Sequence, residues 1–562
     1  MTDATSTPPA LLLHWPAPRP RSWLGALAVV ASGLAGLFWF HLADFTSHFK
    51  DISGDAGDTR LIAFLLEHQW QALLGHAPWA SPPMFYPVPG TLGYADAFVL
   101  QGLVYWPLRA LGAGVLTALQ GSTLLLNALN YAAMAWLLRR VLGLGPLATI
   151  AGSLLFAFNS AKFNQFVHLQ LQPLVLLPLM VALLIGVGRG AETLRPRGVF
   201  LRLAAVALLL DLQLLSGVYV AWFFGFFVLF CLVFALIFAI TRAWLLRAAR
   251  VHARAILAAG GVFVVGAIPF ALLYVPVLRQ AGWRSYGDAR GMIPHWFSLV
   301  VMGDGNWLWA WLEDVIPPFR DQPFYWEHRI GLGGAVTVGW LLLAVAVLRA
   351  VRRWPVRARD GLGTPNSAHF VAILVLAATA FYALGMSYFG HSPWWFAFHT
   401  VPGIKSIRAV SRYPIVLALP IGLALAWTLD ALVARASRAS RLALVLLVAF
   451  GALEQVGTRQ GFDKAAETAR LQALAVQLPK DCRAFYVTSP VNARSTLVSV
   501  HIDAMFVAQL TGVPTLNGYS GQEPPNWRGL FFLRDPAYLG FVAHWVRMHG
   551  LRGKLCALAD PD

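Results

Sequence analysis

Apolar runs of about 15–25 residues recur along this chain, each closed by a short segment rich in arginine, proline or tryptophan. A run of that length crosses the hydrocarbon core of a bilayer as a helix. A soluble fold could not hide so many of them. The 562 residues are 58% hydrophobic and only 12% charged, with a mean hydropathy of +0.62. The pattern predicts an all-α polytopic membrane protein with about eleven spans. They fall near 22–42, 115–138, 146–159, 170–187, 201–217, 219–240, 255–277, 331–350, 370–389, 413–431 and 441–455.

In a soluble chain the net charge of +17 would point to nucleic acid. Its placement argues for orientation instead. Arginines cluster at 139/140, 189–202, 242–254, 349–359 and 435–441, with few acids beside them, chiefly Glu192, Asp360 and Asp430. The alternate segments hold Asp51, Asp55, Asp58, Glu67, Asp96, Asp288, Asp304, Glu313, Asp314, Asp321 and Glu327. The positive-inside rule puts the first set in the cytoplasm and the second outside. An odd number of spans then sends residues 456–562 to the outer side and keeps the N-terminus inside. For a bacterial envelope protein this means the inner membrane, with the C-terminal part in the periplasm and no nucleic-acid partner. The run from Trp23 to Leu42 is too long for a signal-peptide core and lacks a small-residue cleavage site, so it reads as a first span.

Two domains are expected. Residues 1–455 form the membrane domain, with outer loops 43–114 and 278–330. Residues 456–562 form a small α/β domain, combining a helical pattern over 464–478, short β-like runs such as AFYV, and the turn-rich LNGYSGQEPPNW. The segment 95–112 reads as a helix in the outer interface, because counting it as a span would put the arginine clusters outside. Cys231 lies mid-span as packing. Cys482 and Cys556 share the outer domain; they either form a disulfide closing most of it or remain two free thiols.

No Walker loop, GxGxxG after a strand, HExxH or GxSxG is present. His501-Ile502-Asp503 reads as a surface feature rather than a ligand set. Chemistry concentrates instead in SGDAGDTRLIAFLLEHQW, residues 53–70. Asp55 and Asp58 sit there in a glycine-flanked turn feeding an amphipathic helix at the lipid surface. Asp58 is placed to cap that helix from its N-terminus. A carboxylate held there can also take a proton from an acceptor hydroxyl. Asp96, after YPVPGTLGYAD, returns to the same interface as a further acid.

Basic residues on the outer side are fewer. Arg284 and Arg290 lie in WRSYGDARG, and His328 and Arg329 end the second outer loop. Lys405, Arg408 and Arg412 follow i, i+3, i+7 spacing in TVPGIKSIRAVSRYP, one face of a helix. Singly, each suits headgroup contact or snorkelling. As a group they suit phosphate, whose oxygens match guanidinium forks. FNSAKFNQFVHLQLQP (158–173) carries Asn159, Lys162, His168 and Gln170, and LQLLSGVYV carries Tyr219; these polar groups serve loop-end hydrogen bonding or line a cavity. Asn517 to Gly521, with Tyr519 among them, are read as helping to shape the acceptor side.

A first span, an acidic turn at a juxtamembrane helix (GDAGDTRLIAFLL) and then FYPVPGTLGYAD resemble the GT-C superfamily of integral-membrane glycosyltransferases. VPGIKSIRAVSRYPIVLALPIGLALA and VPTLNGYSGQEPPNW extend the likeness. The resemblance implies a polyprenyl-phosphate-linked sugar donor, hexosyl or pentosyl transfer with inversion, and an envelope glycan, lipid or protein as acceptor. It also implies a catalytic carboxylate in the first outer loop, Asp58 first and Asp55 next. The bulky soluble domains and the WWDYG motif of oligosaccharyltransferases are missing, and no metal is expected. The alternative is a lipid or glycan transporter or flippase, which would carry ionisable groups mid-span. Asp211 is the one plain example.

Overall fold

A computed structural model describes residues 22–190, 195–316, 319–354 and 365–560. The proline-rich N-terminal piece, Glu192 and Asp360 lie outside the described residues. The chain is a mostly helical, multi-pass membrane protein. Among the described residues six helices are long and apolar enough to cross a bilayer: Trp23–Phe40, Leu169–Gly190, Val218–Ile237, Gly334–Val351, Ser367–Leu384 and Val410–Arg435. Ala239–Val251 and Ala253–Gly266, bent by 79°, make a seventh if read as one span.

Three of the other expected spans show why they fall outside that set. Val115–Trp136 is 22 residues long but buries Gln120, Ser122, Thr123, Asn127 and Asn130. Polar groups at such positions must face protein rather than lipid. Pro146–Phe158 has only 13 residues. The run 255–277 breaks at Ala267, where Pro269 cannot donate to the preceding turn, leaving Ala253–Gly266 and Ile268–Ala281. Val410–Arg435 is the inner pillar: every residue from Tyr413 to Ala424 is buried.

A second apolar core joins parts far apart in sequence. It unites Ile62, Phe64 and Leu65 of the helix Asp58–Leu73 with Phe85 and Phe98 of the first loop, and with Phe485, Ile502, Met505, Trp527 and Trp545 of the C-terminal segment. Asp51–Ser53 pairs antiparallel with Gly461–Asp463. A buried charge network adds to the join: Arg60 binds Glu467 (2.8 Å) and Asp503, and Arg470 binds both acids. The first loop and residues 456–560 therefore share one core.

This packing corrects two expectations. The helix Asp58–Leu73 buries every residue from Thr59 to Gln69, so it lies within protein and is no amphipathic lid on lipid. His501 and Asp503 are buried, not surface residues. His501 Nε2 donates to Phe531 O (3.1 Å), and burial pushes the ring down to about 4, so it stays neutral. The helix Val99–Ala110 packs Leu100, Gln101, Gly102 and Tyr105 inward while Leu103 and Leu111 are exposed.

The C-terminal segment contains a parallel pair of strands, Ala484–Thr488 beside Leu555–Ala559, with helices Lys464–Val476, Leu497–Thr511 and Tyr538–Met548. Cys482 and Cys556 form a disulfide, with Cα atoms 5.9 Å apart, across a sequence separation of 74. Closing a loop of that length restricts the unfolded chain, so Cys482→Ser is expected to cost about 2–4 kcal/mol. A thermal melt of this variant should unfold earlier than wild type; an unchanged melt would remove the bond from the stability of this segment.

Candidate functional site

The acidic turn divides its two carboxylates between different tasks. Asp55 Oδ1 accepts the backbone N–H groups of Gly57 and Thr59, each at 3.2 Å, and Thr59 Oγ1 accepts the Asp55 N–H. Asp55, not Asp58, therefore satisfies the free donors at the helix start. Gly57 is the N-cap residue and makes no side-chain cap. The Asp58 side chain is left to reach sideways, where His168 Nε2 meets its Oδ2 at 3.2 Å and Tyr519 also hydrogen-bonds it. Burial pushes Asp58 up, but the His168 hydrogen bond, the Arg412 charge and the Tyr519 hydrogen bond together outweigh it and hold the carboxyl below its usual range. Asp55 goes the other way: burial and the charge of Asp58 raise it.

Behind His168 the chain of contacts continues. Arg412 is buried, and one terminal nitrogen lies 2.9 Å from His168 Nε2. Glu327 grips the same guanidinium at Nε (3.2 Å) and at a terminal nitrogen (2.7 Å). Burial would raise Glu327, yet Arg412 dominates the balance and draws it down to about 2. The guanidinium also stands 5.3 Å over the Tyr219 ring. Tyr219 Oη accepts the N–H groups of Arg408 (3.1 Å) and Ala409 (3.2 Å), which fixes the bend carrying Arg408 and Arg412. Asp96 Oδ1 accepts the Val218 N–H at 2.9 Å at the start of Val218–Ile237; burial lifts it to about 6 against that bond and the charge of Arg412.

The expected basic residues separate into groups. Lys405, Arg408 and Arg412 do not share one helix face: they occupy two short 3-10 turns, Ile404–Ser406 and Val410–Arg412, with an extended link between. Gly403, with φ +80°, and the two intervening isoleucines buried on the core set that path. Among the described residues the side chains of Arg408 and Lys405 make no hydrogen bond or ion pair. Arg284 donates to Gly521 O at 2.9 Å, and burial together with the like charge of Arg408 lowers its proton affinity. Asp58, His168, Arg412, Arg408, Arg284, Tyr219 and Tyr519 thus form one cluster.

Others stand apart from it. Arg290 is exposed. Arg329 is committed to Asp304 (2.8 Å) and Glu313 (2.7 Å). His328 is buried between Gln322 Oε1 and Gly291 O (3.0 Å), and burial takes its ring down to about 4, which leaves it without charge for a phosphate. Gln170 backs the cluster through its carbonyl, pressed so close to Gly217 that a Cβ there would collide with it. Asn517 is an anchor behind Tyr519: its Oδ1 accepts the Val487 N–H at 2.8 Å. Two small hollows lie behind the helix Asp58–Leu73, and neither is lined by Asp58 or the basic residues. Among the described residues no group of three or more His, Cys, Asp or Glu is arranged to hold a metal ion.

Sequence reasoning missed Glu327 as the partner of Arg412. It stands 85 residues away and carries no local signal beyond being an acid in an outer segment. Lys162, expected to serve loop-end hydrogen bonding or to line a cavity, is buried and bonds Asn127 Oδ1 and Ala157 O, tying the loop that carries His168 to Val115–Trp136.

No protein-family model and no curated protein matches the sequence. Among solved structures the backbone resembles that of the archaeal oligosaccharyltransferase AglB from Archaeoglobus fulgidus in complex with an inhibitory peptide and a dolichol-phosphate. The TM-score is 0.48 at 12% identity, over 88% of this chain and 64% of that one. It also resembles arabinofuranosyltransferase AftD from Mycobacteria (TM-score 0.47, 16% identity, 85% of this chain and 30% of that one). A third is ArnT from Cupriavidus metallidurans bound to undecaprenyl phosphate (TM-score 0.36, 13% identity, 88% and 90%). The chain spans less than two thirds of the length of the first two. At these scores the likeness describes the broad course of the backbone, and the chemistry rests on this chain's own residues.

Proposed function

We propose that this chain is a GT-C-type glycosyltransferase that moves a sugar from a polyprenyl-phosphate donor to an envelope acceptor at the periplasmic face of a bacterial inner membrane. The observation that carries the reading is the single cluster joining Asp58 to Arg284, Arg408 and Arg412. In the proposed reaction the acceptor oxygen attacks the anomeric carbon and its proton passes to Asp58. The bond from that carbon to the donor phosphate breaks, and the electron pair leaves on the phosphate oxygen. Arg408, whose side chain has no partner among the described residues, and Arg284 stabilise the charge that develops there. A single displacement of this kind inverts the anomeric centre. Arg412, already neutralised by Glu327, shapes the field behind Asp58 rather than offering a free charge.

Arg408→Ala and Arg284→Ala are each expected to weaken binding of a polyprenyl phosphate in detergent by about ten- to a hundredfold, the loss of one charge-assisted hydrogen bond. Arg290→Ala should bind as wild type. Equal affinities in all four proteins would remove the phosphate assignment.

One observation favours the alternative of a transporter or flippase. Asp211, in the helix Pro196–Leu214, is buried against Gly266, and among the described residues neither carboxyl oxygen is hydrogen-bonded. Turnover separates the two readings. Purified protein in detergent, where transport has no meaning, should consume a polyprenyl-phosphate sugar in the presence of acceptor. Binding of that lipid without turnover, across acceptors of glycan, lipid and peptide type, would favour the transporter.

A further inference from the structure

Two side chains grip Asp58 from different elements, and the reaction outlined above gives neither a task. The inference rests on the reading of Asp58 as proton acceptor. His168 Nε2 is within reach of both Asp58 Oδ2 (3.2 Å) and an Arg412 terminal nitrogen (2.9 Å). One ring nitrogen cannot serve both. Bare, it would accept from Arg412 and set a lone pair against a carboxylate. Protonated, it donates to Asp58 but meets the Arg412 N–H donor against donor, while Arg412 keeps its two bonds to Glu327. The second ring nitrogen, Nδ1, is buried and has no hydrogen-bond partner among the described residues. A proton there would be an orphaned buried donor, a rarer state than an orphaned acceptor. The unpartnered Nδ1 favours the tautomer with hydrogen on Nε2, which stands 3.2 Å from Asp58 Oδ2.

The other donor comes from the C-terminal segment. Tyr519 hydrogen-bonds Asp58, and its loop is stitched to the first loop on both sides of the tyrosine. Phe85 N–H donates to Asn517 O (2.9 Å), Gln522 N–H donates to Tyr94 O (3.2 Å), and Arg284 donates to Gly521 O (2.9 Å). Behind it the buried His501 accepts the Gly518 N–H through Nδ1 (3.4 Å). Gly518 lies against the Phe85 ring, which a side chain there would strike. So many fixed points make Tyr519 a placed group rather than a loose one.

We propose that His168 and Tyr519 are positioning residues that fix the Asp58 carboxylate from two sides, so that the C-terminal segment completes the reacting centre. Each bond favours the ionised carboxylate, against burial, which opposes it. Losing either donor therefore moves the proton affinity of Asp58 upward. Other charged groups facing the trio are Asp55 from the same turn, Asp96 from the first loop, Glu327 and Arg412, and Arg408 beside Tyr519. Asp96, lifted to about 6, is coupled to His168 but not to Tyr519, so the difference between wild type and Tyr519→Phe is the cleanest reading.

The test is the pH–rate profile of wild type, Tyr519→Phe, His168→Ala and His168→Gln in detergent. Tyr519→Phe and His168→Ala should lose kcat by about tenfold at neutral pH. Their acid limb should move upward by about one unit, with donor KM within about twofold of wild type. His168→Gln, whose amide N–H reaches toward the same oxygen, should recover most of both changes. A merely structural role would lower the yield of folded protein without moving the limb. An acid limb unmoved in both Tyr519→Phe and His168→Ala overturns the proposal. A wild type inactive in transfer would tell against the reading of Asp58 instead. The positioning is then read from the infrared carboxyl band that Asp58→Asn removes, whose titration midpoint must rise in Tyr519→Phe and whose constancy would overturn it.

Discussion

Asp58→Asn is expected to lower sugar transfer by about a hundred- to ten-thousandfold, the range over which a positioned general base contributes. The substitution keeps the shape of the side chain and an oxygen for His168 and Tyr519 to donate to, so the protein should fold as before. The surrounding ion pair of Arg412 and Glu327 does not touch the changed atoms except through His168. Donor affinity should therefore stay within about twofold, because the proposed phosphate ligands, Arg408 and Arg284, are unchanged. Asp55→Asn offers the contrast. Its carboxylate is spent on two backbone N–H groups at the helix start, so the loss is one of local stability, about 1 kcal/mol, more than of chemistry. Transfer by Asp58→Asn at the wild-type rate would remove the base assignment.

Glu327→Gln is expected to be the most destabilising single change at the site. It strands Arg412, which is buried, without its counter-charge, and breaking one side of such a pair costs about 3–5 kcal/mol. The same pair makes a pH prediction. Arg412 holds Glu327 at about 2 against an ordinary 4.5, so the folded state binds its proton less tightly than the unfolded chain. The contribution, about 3 kcal/mol from a shift of that size, is complete above the unfolded value and is lost as pH falls from 4.5 toward 2. Melting of wild type should fall across that window, and Glu327→Gln should show a smaller fall. Removing both charges, as Glu327→Gln with Arg412→Met, should recover part of the single-variant loss. A single variant as stable as wild type would contradict the account of this pair.

How much of this was legible in the sequence depended on distance along the chain. The apolar runs of Trp23–Phe40 and Val218–Ile237 announce themselves by composition alone. Val115–Trp136 reads as an ordinary span, because hydropathy averages away Asn127 and Asn130, which matter only once a neighbour faces them. The helix Asp58–Leu73 looks amphipathic because Arg60, Glu67, His68 and Gln69 are polar, and each of them is buried. Their partners lie elsewhere: Asp503 and Glu467 for Arg60, Arg109 for Glu67, Ala97 O for Gln69. No local pattern foretells that a segment 400 residues downstream covers this helix, roughly the separation that joins Arg60 to Asp503. The same limit explains the caps. Asp55 and Asp58 are equivalent by residue type, and only the path of the turn decides that Asp55 meets the backbone while Asp58 meets His168. The regular spacing of Lys405, Arg408 and Arg412 suggested a helix, but Gly403 and the buried Ile404 and Ile407 direct the chain into short turns instead.

The most direct measurement is a cryo-EM structure of Asp58→Asn with an intact polyprenyl-phosphate sugar bound. The account predicts the phosphate against Arg408 and Arg284, with the anomeric carbon facing residue 58 on the side opposite that bond. A phosphate bound elsewhere, with residue 58 out of reach of the sugar, would contradict it.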